Sequence, residues 1–293
     1  MTNGGDEDMN WTDRRRRFRA ILKAGRCYHP ASVFDPLSAR IAQDLGFEVG
    51  MFAGSTASLT VLGAPDLIVL TLSEFAEQAY RINRAFDVPL LVDADHGYGN
   101  ALNVMRTVQE LESAGVSALT IEDTLLPRPF GSGGGLTSIE EGVGKMRAAL
   151  AARQDPDLVI VGRTIAMGST GTEDALARAK AYAAAGVDAF FFVGIKDRAQ
   201  LEAAAAAIDI PIIIGGGSPE LSDLDYLATK RVRVALQGHQ PIMAAAQAVH
   251  ATMKALREGV QPKDLQGVPS ADFMAKATRD ADYKGWTKEF LGG

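Results

Sequence analysis

Short apolar runs recur along this chain, with stretches of helical pattern between them. Eight can be counted, at residues 28–33, 49–53, 89–92, 118–121, 158–161, 189–193, 211–214 and 233–236. Each is the length of a strand covered on both faces and too short for a buried helix. The intervening segments, among them 73–86, 101–114, 139–152 and 172–185, carry apolar residues at helical spacing. Gly46, Gly115 and Gly186 each stand shortly before a run, where a left-handed C-cap is expected. Thr71-Leu-Ser73-Glu and Ser138-Ile-Glu-Glu141 have the form of N-caps followed by acidic first turns. Such alternation predicts an α/β fold with a parallel sheet. Eight units in 293 residues favour a (β/α)8 TIM-type barrel over a doubly wound sheet.

The candidate chemistry is concentrated at the C-terminal ends of these runs. Ala53-Gly54-Ser55 comes after the second, Asp93 and Asp95 after the third, Glu122 after the fourth and Gly162-Arg163-Thr164 after the fifth. Gly194 comes after the sixth, Gly215-Gly-Gly-Ser218 after the seventh and Gln237-Gly238-His239 after the eighth. In a barrel these ends meet at one mouth, where active sites are built. Asp93, Asp95 and Glu122 repel one another there unless a cation sits between them. Oxygen donors without sulfur point to Mg²⁺, or Mn²⁺. Helix capping is the competing use for an aspartate at a strand end, but Glu122 is a poor cap. Asp66, in Gly63-Ala-Pro-Asp66, is a fourth candidate acid, with turn formation as its other role.

Arg163 ends an otherwise apolar strand, LVIVGR, so its guanidinium requires an anion: a substrate carboxylate or protein carboxylates. Gly54 and Ser55 offer backbone N–H groups and a hydroxyl suited to a carboxylate or an enolate oxygen. Of four histidines, His96 and His239 fall at the mouth, His29 within the first run and His250 within a helix. No HxH or HExxH spacing supports a histidine metal site. Gly131-Ser-Gly-Gly-Gly135 lacks the context and the lysine of a phosphate loop, and reads as a flexible lid.

Composition narrows the classes. Hydrophobic residues make up 47% and charged ones 23%, ordinary for a globular protein. A net charge of −6 without a basic stripe argues against a nucleic-acid partner. No run of about 18 apolar residues suits a membrane span. The polar, acidic start MTNGGDEDMN is unlike a signal peptide, so a cytoplasmic protein is expected. Cys27 stands alone, which excludes an internal disulfide and a cysteine metal site. The arginines at 14–17 read as the solvated face of a first helix, offset by Asp6, Glu7, Asp8 and Asp13. The expected organisation is a flexible or helical arm (1–17), a catalytic barrel (18–258), and a linker with an accessory helix (259–293). That tail, interrupted by Pro262 and Pro269, is suited to docking on a neighbouring subunit.

Five motifs taken together resemble the isocitrate lyase/phosphoenolpyruvate mutase superfamily over residues 18–258. They are Ala53-Gly54-Ser55-Thr-Ala-Ser58, Leu62-Gly-Ala-Pro-Asp66, Asp93-Ala-Asp-His-Gly-Tyr-Gly99, Thr120-Ile-Glu-Asp-Thr124 and Gly162-Arg-Thr164. His96 stands where most branches have Thr. With Glu140-Glu-Gly-Val-Gly-Lys145 and Gln237-Gly-His239, the chain is most similar to the oxaloacetate decarboxylase branch. The resemblance implies a barrel whose last helix is exchanged between subunits of a homotetramer. It implies Mg²⁺ held directly by Asp93 and through water by its neighbours, and a small α-keto acid contacted by Ser55, Arg163 and His239. The lyases' Lys-Lys-Cys-Gly-His loop is replaced by Arg128-Pro-Phe-Gly-Ser-Gly-Gly-Gly135, with no thiol to act as an acid. Two departures are Ile165, where the family has a polar or acidic residue, and Gly215-Gly-Gly217, where the branch has a bulkier polar turn. Both are expected to enlarge or de-polarise the pocket.

The implied activity is Mg²⁺-dependent decarboxylation of oxaloacetate, or a close α-keto acid, to pyruvate and CO₂ through a metal-stabilised enolate. Arg163, His239 and Asp66 are the candidate catalytic residues. Gly54, Ser55, Arg163 and His239 are candidates for substrate binding, and Asp93, Asp95 and Glu122 for the metal. The alternatives are a phosphonopyruvate hydrolase or mutase, a carbon–carbon lyase on a malate derivative, and a non-catalytic ligand-binding member.

Overall fold

The computed structural model describes residues 11–131, 133–216 and 218–292. Ser132, part of the expected lid, Gly217, and the acidic residues before position 11 lie outside them. Runs rich in Val, Ile and Phe form strands because such side chains pack well on a pleated surface covered on both faces. Helix α1 (Trp11–Lys23) precedes β1 (Ala31–Ser32), α2 (Pro36–Asp44), β2 (Gly50–Phe52), α3 (Gly54–Ala57) and α4 (Leu72–Ala85). After these come β3 (Leu90–Asp93), α5 (Ala101–Ser113), β4 (Ala118–Glu122), α6 (Ile139–Ala152) and β5 (Val159–Thr164). Next are α7 (Ala166–Ser169), α8 (Thr172–Ala185), β6 (Ala189–Val193), α9 (Arg198–Ala207), β7 (Ile212–Gly215) and α10 (Leu224–Thr229). The series ends with β8 (Val232–Leu236), α11 (Gln240–Arg257), α12 (Ala271–Thr278) and α13 (Asp280–Phe290).

The strands are parallel and neighbour one another in chain order from β1 to β8. Tyr28 pairs in parallel with Val234, which brings β1 beside β8 and curls the sheet into a (β/α)8 barrel, as expected. The run expected at 28–33 narrows to a two-residue strand plus this bridge. Gly46, Gly115 and Gly186 adopt positive φ before β2, β4 and β6, as caps there require. Thr71 and Glu74 form a reciprocal capping box on α4, and Ser138 caps α6. No helix among the described residues is long and apolar enough to cross a membrane.

Two apolar layers arise from the twofold alternation of each strand. Outward-facing side chains such as Phe52, Val92, Ile121, Ile160 and Phe190 pack under the helices. Inward-facing ones, including Met51, Leu91, Val159, Val161, Phe191 and Ile213, fill the barrel. Phe18 and Leu22 of α1 join that inner layer and plug the end opposite the strands' C-termini.

The arginines at 14–17 are not simply a solvated face. Arg14 and Arg15 are buried. Arg14 donates to the carbonyl of Asn83 near the end of α4 at 2.6 Å. Arg15 donates to the carbonyls of Glu112 in the last turn of α5 (2.6 Å) and of Val116 just after it (3.1 Å), and pairs with Asp155 at 2.8 Å. Carbonyls at a helix C-terminus lack intrahelical donors and attract cations, which is why these guanidinium groups turn inward. Of the acids expected to balance them, Asp13 does pair with Arg16.

At the other end of the chain, no side chain of α11 is buried. Met243, Val249, Met253 and Leu256 of that helix are exposed, as are Tyr283, Trp286 and Phe290 of α13. The α12 region is tied down: Ala277 is buried, Arg279 pairs with Asp44 through two 2.8 Å contacts, and Arg40 donates to the Thr278 carbonyl. Beside α2, an open groove of about 560 Å³ is lined by apolar groups that include Ala31, Phe34, Ile41, Leu45 and Pro241.

Candidate active site

The site sits on top of the inner layer because the same alternation that buries Leu91, Ala118 and Val159 continues upward. Two residues beyond Leu91 is Asp93, four beyond Ala118 is Glu122, and four beyond Val159 is Arg163. Cross-strand register then makes a row: Glu122 stands opposite Arg163, and Arg163 opposite Phe191. Asp93 stands opposite Thr120, which donates to it at 3.0 Å.

Arg163 bridges the acids. Its Nη1 is paired with Asp93 and lies 3.2 Å from Glu122 Oε2. The guanidinium also lies over the Phe191 ring, 5.3 Å from its centre. Burial alone would lower the arginine's proton affinity, but Asp93, Glu122 and Asp95 outweigh it and hold the charge in place. The anion that the lone arginine requires is therefore, at least in part, the protein's own acids.

Asp95 lies just past the end of β3 with φ +48°, a left-handed backbone uncommon outside glycine. Its N–H donates to Asp93 at 3.1 Å and its carbonyl accepts from the Glu122 N–H at 2.8 Å. Its carboxylate lies against Gly54. A Cβ added at Gly54 would meet Asp95 Oδ2 at 2.6 Å, so no larger residue fits without moving that acid. Burial, then the charges of Asp93 and Glu122, push Asp95 well above the usual carboxylate range. Glu122 is raised too, by burial against the pull of Arg163, and its buried Oε2 finds no hydrogen-bond donor.

Asp66 belongs to the same field: burial and then Asp93 raise it, while Arg163 and His239 oppose the shift. His239 is lowered by burial, against the pull of Asp93 and Asp66. Ser55 is partly buried in the turn after β2, beside buried Gly54. His96 is buried, pushed down to about 4 by burial and by Lys145, whose Nζ donates to the His96 carbonyl at 2.9 Å. That bond gives the buried Lys145 a partner and makes His96 a part of the loop's framework.

Several participants carry no sequence signal. Phe191 reads as core within Ala189–Val193, yet it supports Arg163. Gly215 does not open the pocket, as its lack of a side chain suggested: a Cβ there would lie 2.9 Å from the Phe191 ring. The glycine makes room for the aromatic that carries the arginine. Asp123, one residue past Glu122, faces the opposite side of the strand. It accepts from Arg178 (3.0 Å), Tyr182 (2.8 Å) and Thr164 (2.9 Å), which locks β4 and β5 to α8. Ile165 is half-buried at the start of α7.

Three acids share one guanidinium, and the buried Glu122 Oε2, within ion-pair distance of Arg163, accepts no hydrogen bond. Both observations suit a hard divalent cation. Among the described residues no three acidic or histidine side chains converge closely enough to bind an ion by themselves. Mg²⁺ keeps several waters and takes one or two protein carboxylates, so such a donor set fits it.

A family profile described as phosphoenolpyruvate phosphomutase matches residues 18–257. The chain is 61% identical to an oxaloacetate decarboxylase of Rhodopseudomonas palustris (strain BisB18), over 97% of this chain and 99% of that one. It is 59% identical to an oxaloacetate decarboxylase of Bradyrhizobium diazoefficiens, with the same coverage. Among solved structures it is similar to a phosphonopyruvate hydrolase in complex with oxalate and Mg²⁺ (TM-score 0.84, 29% identity, 95% of this chain and 99% of that one). It is also similar to an oxaloacetate acetylhydrolase in complex with 3,3-difluorooxalacetate (TM-score 0.83, 28% identity, 96% and 98%).

Proposed function

The chain belongs to the phosphoenolpyruvate phosphomutase family, and from that premise we propose that it decarboxylates oxaloacetate, or a close α-keto acid, to pyruvate and CO₂. Full-length likeness to relatives named for that reaction carries the reading, at about twice the identity shared with the hydrolase structures. The enzyme is proposed to act in the cytoplasm.

Asp93, Asp95 and Glu122 would hold Mg²⁺ (or Mn²⁺), which would supply a Lewis acid for an α-keto acid. Breaking the C3–C4 bond releases CO₂ and sends its electron pair toward the C2 oxygen, and a proton then joins C3. Arg163, held over Phe191, presents fixed positive charge to the substrate carboxylate and to the growing oxyanion. The N–H groups of Gly54 and Ser55 add donors on the other side of the mouth. His239 meets the C4 carboxylate before it departs, or assists protonation at C3. Asp66 completes the acidic rim.

The test is steady-state turnover of oxaloacetate with Mg²⁺, against the metal-catalysed background, with products identified. Pyruvate and CO₂ are expected, and Asp93→Ala should abolish them while circular dichroism stays unchanged. Oxalate and acetate would move the assignment to hydrolysis of the same substrate. Phosphate from phosphonopyruvate would move it to carbon–phosphorus chemistry, and no turnover at all would favour a binding protein.

Assembly belongs to the same reading. We propose a homotetramer in which the barrel's last helix, α11, is exchanged between subunits. The exposed apolar side chains of α11 and the open groove beside α2 support it, since a barrel's eighth helix ordinarily covers its own last strands.

A further inference from the structure

At the seam where the barrel closes, Ser32 Oγ at the end of β1 lies 2.8 Å from His239 Nδ1 after β8. The residues are 207 positions apart. They meet because Tyr28 pairs with Val234 and so aligns the ends of the first and last strands. His239 precedes α11, the helix with no buried side chain, and comes directly after Gly238 at φ +85°. The backbone that carries the imidazole is thus weakly anchored on its C-terminal side. The hydrogen bond to Ser32 fixes the ring.

A neutral imidazole has one N–H, and the partner of one nitrogen decides which of the two carries it. Burial favours the neutral ring here. With Nδ1 engaged by Ser32, Nε2 is the nitrogen left for the pocket. The acids Asp93 and Asp66 act on this ring more strongly than the cationic Arg163, which opposes them. Carboxylates on that side favour an N–H at Nε2 over a lone pair, and the serine hydroxyl can supply the matching donor at Nδ1.

We propose that Ser32 is a positioning residue whose hydroxyl donates to His239 Nδ1 and holds the imidazole as its Nε2–H tautomer. That N–H is then presented to the carboxylate that leaves as CO₂. The identity of that carboxylate rests on the decarboxylase reading, whereas the tautomer does not.

The experiment combines nitrogen NMR of ¹⁵N-histidine-labelled full-length protein with kinetics. Comparison with His239→Ala identifies the His239 signals. The wild type should show a protonated Nε2 and an acceptor Nδ1, Ser32→Ala should lose this pattern, and Ser32→Thr, which keeps the hydroxyl, should restore it. Ser32→Ala should lower kcat/KM for oxaloacetate on the order of tenfold, the worth of one hydrogen bond. In a His239→Ala background the same change should cost nothing further, because Ser32 acts through the ring. A protonated Nδ1 in the wild type, or losses that add in full, would overturn the proposal. If oxaloacetate is not turned over, the decarboxylase reading falls while the nitrogen spectrum still decides the tautomer.

Discussion

Gly54 illustrates how much of this site depends on single atoms. Its missing side chain leaves the space that the Asp95 carboxylate takes up, at 2.6 Å from where a Cβ would stand. Gly54→Ala should displace that acid, lower Mn²⁺ affinity, and cut kcat/KM on the order of a hundredfold, the usual result of moving a catalytic group by an ångström. Calorimetric titration with Mn²⁺ beside kinetics checks it, and unaltered metal binding would refute it. Arg163→Lys is not conservative for a different reason. An ammonium cannot offer a carboxylate the paired donors of a planar guanidinium or replace its packing over Phe191. The expected cost is about 2–4 kcal/mol, roughly a 30- to 1,000-fold loss in kcat/KM. Asp93, Glu122 and Arg163 were legible in the sequence because charged residues that end apolar runs stand out, and a barrel gathers those ends at one mouth. Phe191 and Ser32 were not. An aromatic in an apolar run looks like any other core residue, and a serine finds its histidine only once the barrel closes.

The elements divide their labour between the two ends of the barrel. At the lower end α1 commits its charge to structure: Arg15 closes two buried carbonyls near the end of α5 and pairs with the half-buried Asp155. Removing it takes the side-chain donor from the buried Val116 carbonyl and leaves the Glu112 carbonyl and Asp155 with one donor fewer. Arg15→Ala should therefore destabilise the protein by about 2–4 kcal/mol in urea unfolding. Activity of the folded fraction should be unchanged, because the mouth lies at the opposite end. A stability loss below about 0.5 kcal/mol would mean a surface charge after all. Charge composition pointed toward solvent here because the partners of these arginines are mostly backbone carbonyls and acids more than sixty residues away. Local periodicity located α1 but had no means of showing what lay against it. Thr71 and Ser138 were readable for the converse reason, since a cap and the N–H it accepts from lie within one turn.

For the whole molecule, alternation and count together gave the barrel, and the strand order confirms it. The tail was legible only as an appendage, because an exposed amphipathic helix is defined by what covers it. Deleting residues 259–293 removes α12 and α13 with the Arg279–Asp44 pair. Sedimentation velocity should then show a tetramer weakened or broken into smaller species. A full-length protein that sediments as a monomer would refute the exchanged assembly. The plug formed by α1 has a further consequence, for the order of events during synthesis. Arg19 donates to Asp188, 169 residues downstream, and Arg15 pairs with Asp155, 140 residues downstream. At roughly 5–20 residues per second, α1 leaves the ribosome about 7–30 s before those partners exist. For that interval it is a cationic amphipathic helix without its last acidic partners. Nascent chains arrested before Asp155 should expose it to trypsin at its arginines, and those extended beyond Asp188 should protect it.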